Sequence, residues 1–365
     1  MIQLLTMEDI EEAWNHFCDG DYNFQDTQIQ SVAEVHAPKC SELYISTKTK
    51  ISYLNMPINL YDTFWKIPVI LYHLPKEGII KKQMKFNSLS CSELTDLQQK
   101  ISDEKEYSKN HIDEYIIQQV DAQSNRNSFK DVRKISIGLS KKDITSYKCK
   151  KKSAFYNCFV VILRLKCNNT FKEHSVKVFN TGKLQIPGIQ NDETLNKILD
   201  LLISILNPIC ITSTPITYFE EKHQTVLINS NFNCGYYINR EKLYHILKYD
   251  YNINSAYDPC SYPGIQCEFF YILNSDLPQN GKQPNGTSNV DVVKVSFMIF
   301  RTGSVLIVGK CSEYILKTIY EYIKNLLESE FHKIFSESHN STEHDDLMES
   351  KRKVRKKTII MDKSV

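Results

Sequence analysis

No Cys-x-x-Cys pair occurs in the 365 residues, and the eleven cysteines are odd in number. Neither a zinc module nor a disulfide framework is indicated by that pattern. Cys149, Cys158 and Cys167 are evenly spaced, but they fall in a strand-like stretch and read as idle thiols. No apolar run approaches the length that crosses a bilayer, and the N-terminus lacks the basic-then-apolar order of a signal peptide. A soluble, intracellular protein without a membrane partner is therefore expected. Also missing are a Gly-rich phosphate loop, a carboxylate cluster and a His pair at metal-ligand spacing, so no enzyme, metal or cofactor is expected. Positive charge is absent from residues 1–38. That stretch has no Lys or Arg and eight carboxylates: Glu8, Asp9, Glu11, Glu12, Asp19, Asp21, Asp26 and Glu34. The other residues then hold 45 cations against 35 carboxylates, a net +10 hidden inside an overall +2. A basic body beside an acidic arm makes nucleic acid a natural partner for the body.

What the sequence does have is a stretch that occurs twice. Val178-Phe179-Asn180-Thr181-Gly182-Lys183-Leu184-Gln185-Ile186-Pro187-Gly188 returns as Ile299-Phe300-Arg301-Thr302-Gly303-Ser304-Val305-Leu306-Ile307-Val308-Gly309, with Phe, Thr, Gly and the last Gly in one frame. The offset from Phe179 to Phe300 is 121 residues. An apolar strand-like run precedes each copy, and a long amphipathic helix pattern follows it. Two copies argue for a pseudo-symmetric pair and not for a solenoid.

Read in order, residues 7–17 form a helix candidate within the acidic arm. Strands are expected over 43–54 and 77–86, with a short helix at 59–66 between them that stops before Pro68. Residues 88–150 have a weaker pattern and read as an insertion, with polar helix at 92–101 and 110–120. Strands at 154–166 and 175–179 lead into the turn at Asn180-Thr181-Gly182, where Gly supplies positive φ, and on to 183–187. Leu195, Ile198, Leu199, Leu202, Ile205 and Leu206 make the apolar face of a helix at 192–206, with Asn191 or Asp192 as its cap. The second copy repeats the order: strand 225–237, short helix 240–247, strand 264–273, the pair 292–300 and 304–308, and a helix at 313–331 capped by Ser312. Residues 336–365 read as a polar tail ending in a Lys/Arg run.

A strand, short helix, several strands and long helix, duplicated in tandem with a Phe-x-x-Gly hairpin in each copy, resemble the TATA-binding protein family. Tyr257-Asp258-Pro259-Cys260-Ser261-Tyr262-Pro263-Gly264-Ile265 looks like the family's Tyr-x-Pro…Phe-Pro-Gly turn of the second repeat. The resemblance covers 42–87, 152–206 and 222–330. It divides the chain into the arm at 1–38, a first repeat at 39–211 with the insertion, a second repeat at 216–335, and the tail. It implies an α+β fold: a tandem-duplicated saddle whose curved antiparallel sheet has its helices on the convex face. Its concave face would lie in the minor groove, drive apolar wedges between base steps and bend A·T-rich duplex.

Matched residue by residue, the resemblance implies wedges at Phe179, Phe300, Tyr262 and Cys158. It implies a groove floor of Gln185, Pro187, Leu306 and Val308, with Asn229 and Asn231 near its centre, and phosphate contacts by Lys183 and Arg164. Cys158 departs from an aromatic wedge. Gln185 and Pro187 depart from small β-branched floor residues, and Ser304 and Glu268 stand where basic residues are implied. The partners implied are double-stranded promoter DNA and a general transcription factor or polymerase subunits. Ile-, Asn-, Lys- and Tyr-rich composition is similar to that of AT-rich genomes and suggests a large DNA virus. That setting places the protein in the nucleus, a cytoplasmic viral factory or the virion. A protein-interaction scaffold whose saddle no longer binds DNA is the alternative, motivated by Cys158, Pro187 and Glu268. If the acidic arm competes with DNA, deleting residues 1–38 tightens duplex binding at low salt; unchanged affinity in a salt-controlled titration removes the competition.

Overall fold

The computed structural model describes residues 36–120, 129–145, 156–167, 170–210, 214–274, 278–284 and 291–336. The acidic arm up to residue 35 and the basic tail lie outside the described residues. The strands are β1 (Tyr44–Tyr53), β2 (Gly78–Ser88), β3 (Ile112–Val120), β4 (Lys130–Gly138), β5 (Cys158–Cys167), β6 (Thr170–Phe179), β7 (Lys183–Ile189), β8 (Gln224–Asn233), β9 (Asn254–Ala256), β10 (Ile265–Ile272), β11 (Val292–Ile299) and β12 (Ser304–Gly309). The helices are α1 (Leu60–Lys66), α2 (Cys91–Tyr107), α3 (Lys141–Thr145), α4 (Asp192–Leu206), α5 (Arg240–His245), α6 (Glu313–Ser329) and α7 (Phe331–Ile334).

All twelve strands join one curved, open, antiparallel sheet in the order β3-β4-β2-β5-β6-β7-β1-β8-β12-β11-β10-β9. Between β2 and β9 the order is a palindrome of the two copies. It runs outward from a central seam where β1 pairs with β8, from Tyr44 opposite Asn231 to Ile51 opposite Gln224. Alternate residues of each strand go to one face or the other. On one face Leu184, Ile186, Val176, Val178, Phe159 and Val161 are fully or almost fully buried in one hydrophobic cluster with Leu195, Ile198, Leu199, Leu202 and Leu206 of α4. In the second copy, Val295, Phe297, Ile299, Val305 and Ile307 of the sheet are buried, as are Ile315, Leu316, Ile319, Ile323, Leu326 and Leu327 of α6. Burying one such side chain contributes about 1.5–3 kcal/mol, so the two helix–sheet layers are the main stabilising feature. The opposite face carries no long helix among the described residues.

The local signals agree between copies. Asn59 caps α1 by accepting from the Asp62 N–H, and Asn239 caps α5 by accepting from that of Lys242. Asn191 caps α4 and Ser312 caps α6 in the same way. Central strand β1 ties both long helices: Lys50 Nζ lies 2.9 Å from Asp192 and Lys48 Nζ 2.6 Å from Glu313, each carboxylate in the first turn of its helix.

Three features differ from the sequence reading. Residues 110–120, expected as helix, form β3 at the sheet edge. There Ile112 and Ile116 face α2's side of the sheet and the ladder with β4 supplies the backbone hydrogen bonds. Residues 130–138, with no assigned element, form β4, which pairs with β2 from Lys81–Gly138 to Ser88–Asp131. The insertion therefore adds two strands to the sheet. Third, α5 runs on through a π turn, Ile246–Asp250.

The two Phe-x-x-Gly turns have the same geometry. Gly182 and Gly303 have φ of +80° and +78° and donate to the carbonyls of Phe179 and Phe300, both at 3.0 Å. A Cβ on Gly182 would run into the Met56 carbonyl oxygen, and one on Gly303 into that of Tyr236. Gly188 also has positive φ, +82°, but a Cβ there would meet nothing within 4 Å. Gly188→Ala is accordingly expected to cost about 1–2 kcal/mol in urea denaturation, from backbone strain alone. Gly182→Ala and Gly303→Ala should each cost distinctly more; equal losses at all three sites would remove the carbonyl clash as the cause.

Candidate functional site

The face opposite the helices is where the strand alternation places every one of the implied site residues. Lys183, Gln185 and Pro187 alternate with buried Leu184, Ile186 and Ile189 along β7. Ser304, Leu306 and Val308 alternate with buried Val305 and Ile307 along β12. Asn229 and Asn231 stand opposite Val308 and Leu306 on β8. Both asparagines reach across the central seam: Asn231 Nδ2 donates to Ser46 Oγ at 2.7 Å and Asn229 Nδ2 to Thr47 Oγ1 at 3.4 Å. The middle of this face is thus half-buried, with polar groups at the seam and a mix of Leu306, Val308, Pro187 and Ile51 around them.

The aromatic candidates sit where the strands enter and leave the turns. Phe300 follows β11 and Tyr262 precedes β10; their rings pack edge to face with centroids 5.9 Å apart. Gly264 lets them meet, since a Cβ there would lie 3.0 Å from the Phe300 ring and 3.1 Å from the Tyr262 ring. The Tyr262 hydroxyl also lies 3.6 Å from Met298 Sδ. In the first copy Phe179 lies directly opposite Cys158. Cys158 is 2% exposed, and burial pushes its thiol pKa up. A buried thiol offers no apolar surface to a ligand.

The register explains this difference. Ile265 pairs with Ile299, so the next pair in the ladder is Gly264 with Phe300. Cys158 is therefore the counterpart of Gly264, and the counterpart of Tyr262, two residues earlier, is Tyr156. Tyr156 is 56% exposed, and its ring lies over the Lys85 ammonium, 3.4 Å from the centroid. Lys85 is on the open face, since it pairs with Lys134 one step beyond Met84–Ile135, whose side chains are in the core. The sequence match put this wedge at Cys158, two residues out of step with the ladder. Counting from the Phe-x-x-Gly turns gives the alternative frame.

That same frame moves Arg164 away from a phosphate position. It is 6% exposed, and its guanidinium donates to the main-chain carbonyls of Tyr72, Leu74 and Lys76. Burial holds its pKa below the ordinary value for arginine. Its donors are spent on the loop before β2. Lys183, by contrast, is half-exposed with its ammonium 5.8 Å from the Phe179 ring centroid. Glu268 is on the open face of β10 and is neutralised by Lys294 at 2.7 Å, while Asn254 donates to its other oxygen. Arg164→Ala should cost about 2–4 kcal/mol in urea denaturation because it removes a buried guanidinium and its three hydrogen bonds to the loop before β2, and Lys183→Ala less than about 0.5. Equal stability of the two variants would return Arg164 to the list of free cations.

No group of three or more His, Cys, Asp or Glu residues that could hold a metal occurs among the described residues, and no helix there is long and apolar enough to cross a membrane. No protein-family model matches the chain. A curated relative, a "TATA-box-binding protein-like" protein of Acanthamoeba polyphaga mimivirus, is 28% identical over 207 residues. The match takes in 52% of this chain and 53% of the relative, so it spans about half the length of each. The solved structure of a Methanococcus jannaschii TBP is matched at 14% identity with a TM-score of 0.38, over 79% of this chain and 99% of that one. The chain is thus similar, over about half its length, to a viral TATA-box-binding protein-like protein, and its duplicated Phe-x-x-Gly frame and its sheet, palindromic about the central seam, stand beside that likeness.

Proposed function

We propose that the chain is a transcription-initiation factor that binds A·T-rich duplex DNA through the minor groove on its open face and bends it. The helical face is then left for a general transcription factor or polymerase subunits. One observation carries the reading: an aromatic at each Phe-x-x-Gly turn with a second aromatic at the same ladder position of both copies, Phe300 with Tyr262 and Phe179 with Tyr156. Flat, apolar, rigid side chains at the two ends of an open face are suited to enter base steps, and the bend lets the duplex follow more of the surface. Between them apolar Leu306, Val308, Pro187 and Ile51 stand among polar Asn229, Asn231, Thr47, Gln185 and Ser296. That suits a groove edge with few donors and selection by deformability. Tyr156 takes the place in this scheme that the sequence match had assigned to Cys158, and Lys183 beside Phe179 supplies a phosphate contact.

A scaffold that has lost DNA binding is the second reading. It is favoured by Glu268, whose carboxylate is on the face that would meet phosphates, and by the unpaired ring frame of the first copy, where Cys158 is buried.

Fluorescence bending and anisotropy on an A·T-rich duplex decide between them. The wild-type protein should bend this duplex and prefer it to random sequence. Phe300→Ala and Phe179→Ala should each weaken binding roughly ten-fold or more, from about 1–3 kcal/mol per stacked aromatic. Tyr156→Ala should reduce the bend while Cys158→Ala leaves it unchanged. Binding without sequence preference, and equal in all these variants, would transfer the assignment to the scaffold.

A further inference from the structure

Spacing along the chain pairs no cysteines, but the fold sets two of them face to face. The Ser41 N–H donates to the Asn233 carbonyl at 2.8 Å, and the Asn233 N–H to Ser41 Oγ at 2.9 Å. This antiparallel contact, ahead of β1, puts Cys40 opposite Cys234 one step further along. Directly opposed residues of antiparallel chains have side chains on one face and Cα atoms roughly 4.5–5.5 Å apart. That is inside the roughly 4.4–6.8 Å that a disulfide spans. The described cysteines within strands have other partners: Cys158 stands opposite Phe179, Cys167 opposite Thr170 and Cys267 opposite Phe297.

Both thiols lie on the helix side of the sheet. Cys234 is 0% exposed and alternates with buried Phe232, whose ring packs on Tyr320 of α6 with centroids 4.9 Å apart. Cys40 is 7% exposed, and the Tyr320 hydroxyl donates to the carbonyl of its neighbour Ser41 at 2.9 Å. Burial first, then Cys234 and Glu328 of α6, pushes the Cys40 thiol pKa up to about 11, and burial raises that of Cys234 too. While packed, the pair is thus two neutral thiols, which are poor nucleophiles. Residues 36–43 form neither strand nor helix, and the bonds of Ser41 to Asn233 and Tyr320 hold them down. Local opening of this short segment is the route by which Cys40 meets a reagent.

We propose that Cys40 and Cys234 form a reversible disulfide that locks residues 36–43 onto β8. The oxidant is a small disulfide of the glutathione type. The Cys40 thiolate attacks one of its sulfurs, forming a mixed disulfide and releasing one thiolate. The Cys234 thiolate then attacks the Cys40 sulfur and releases the second. The two cysteines give up two protons and two electrons, and the reagent leaves as two thiols. The bridge joins positions 234 − 40 = 194 residues apart, with the strands of the first copy between them. Cys234 also donates its N–H to the Gly303 carbonyl, so the bridge ties the residues that follow the acidic arm to the second Phe-x-x-Gly turn. This assignment does not rest on the DNA-binding reading.

The test incubates the full chain with oxidised glutathione under native conditions, followed by alkylation, digestion without reduction and mass mapping. A linked pair of peptides holding Cys40 and Cys234 should form, disappear with dithiothreitol, and be absent from Cys40→Ser. Hydrogen exchange at the Ser41 amide should slow in the bridged protein. Tyr320→Phe keeps the ring but removes the hydroxyl bond to Ser41. It should speed closure roughly two- to ten-fold, the weight of one hydrogen bond. Glutathione retained on Cys40 without closure, no reaction at Cys40, or a bridge from Cys40 to another cysteine would overturn the pair. A Cys40–Cys234 bridge with unchanged Ser41 exchange and an equal closure rate in Tyr320→Phe would overturn the lock on residues 36–43.

Discussion

Everything on the open face depends on how the Phe-x-x-Gly turns are held. Each turn is clamped by the segment that follows the first strand of its copy. The Leu54 N–H donates to the Gly182 carbonyl and the Cys234 N–H to that of Gly303, both at 2.9 Å. The Ile58 N–H donates to Asn180 and the Ile238 N–H to Arg301, at 2.9 and 2.8 Å. These bonds fix where the first strand ends and the short helix begins, and they aim the Phe before each turn. Only glycine tolerates the third turn position, because positive φ and the approaching carbonyl both exclude a side chain.

The central seam is the second constraint. Joining β1 to β8 leaves the outer edges of the sheet to the most divergent strands. The second copy ends in the three-residue β9, a short edge that gives little template for another chain. In the first copy β4 covers β2, and the edge passes to β3, which carries Asp113 and Glu114. The open-face alternation continues across this addition. Duplication thus sets the middle of the sheet, and insertion alters one end of it.

Asymmetry between copies arises from single residues acting on this common frame. Gly264 admits the Tyr262–Phe300 ring contact, whereas Cys158 occupies the corresponding ladder position and Tyr156 turns toward Lys85. Pro187 interrupts a ladder that Val308 continues. Ile51 and Gln185 on β1 and β7 are answered by Asn231 and Leu306 on β8 and β12, so apolar and polar partners exchange strands between copies.

Local patterns determined much of this protein. The helix at Asp192–Leu206, a cap at Asn191 or Asp192 that the structure assigns to Asn191, the Ser312 cap, the two turns and the strands on either side of them were legible, because helix periodicity, capping and positive φ at glycine are short-range effects. The family resemblance implied that Gln185, Pro187, Leu306 and Val308 belong together, and the alternation along β7 and β12 puts them on one face. Tertiary structure decided the rest. Residues 112–120 and 130–138 are strands because they pair with each other and with β2, a contact no local window contains. The role of Arg164 depended on three carbonyls about ninety residues away in the chain. Tyr156 could be placed beside Tyr262 only through the ladder register, since residue spacing within a strand carries no information about which neighbour stands opposite.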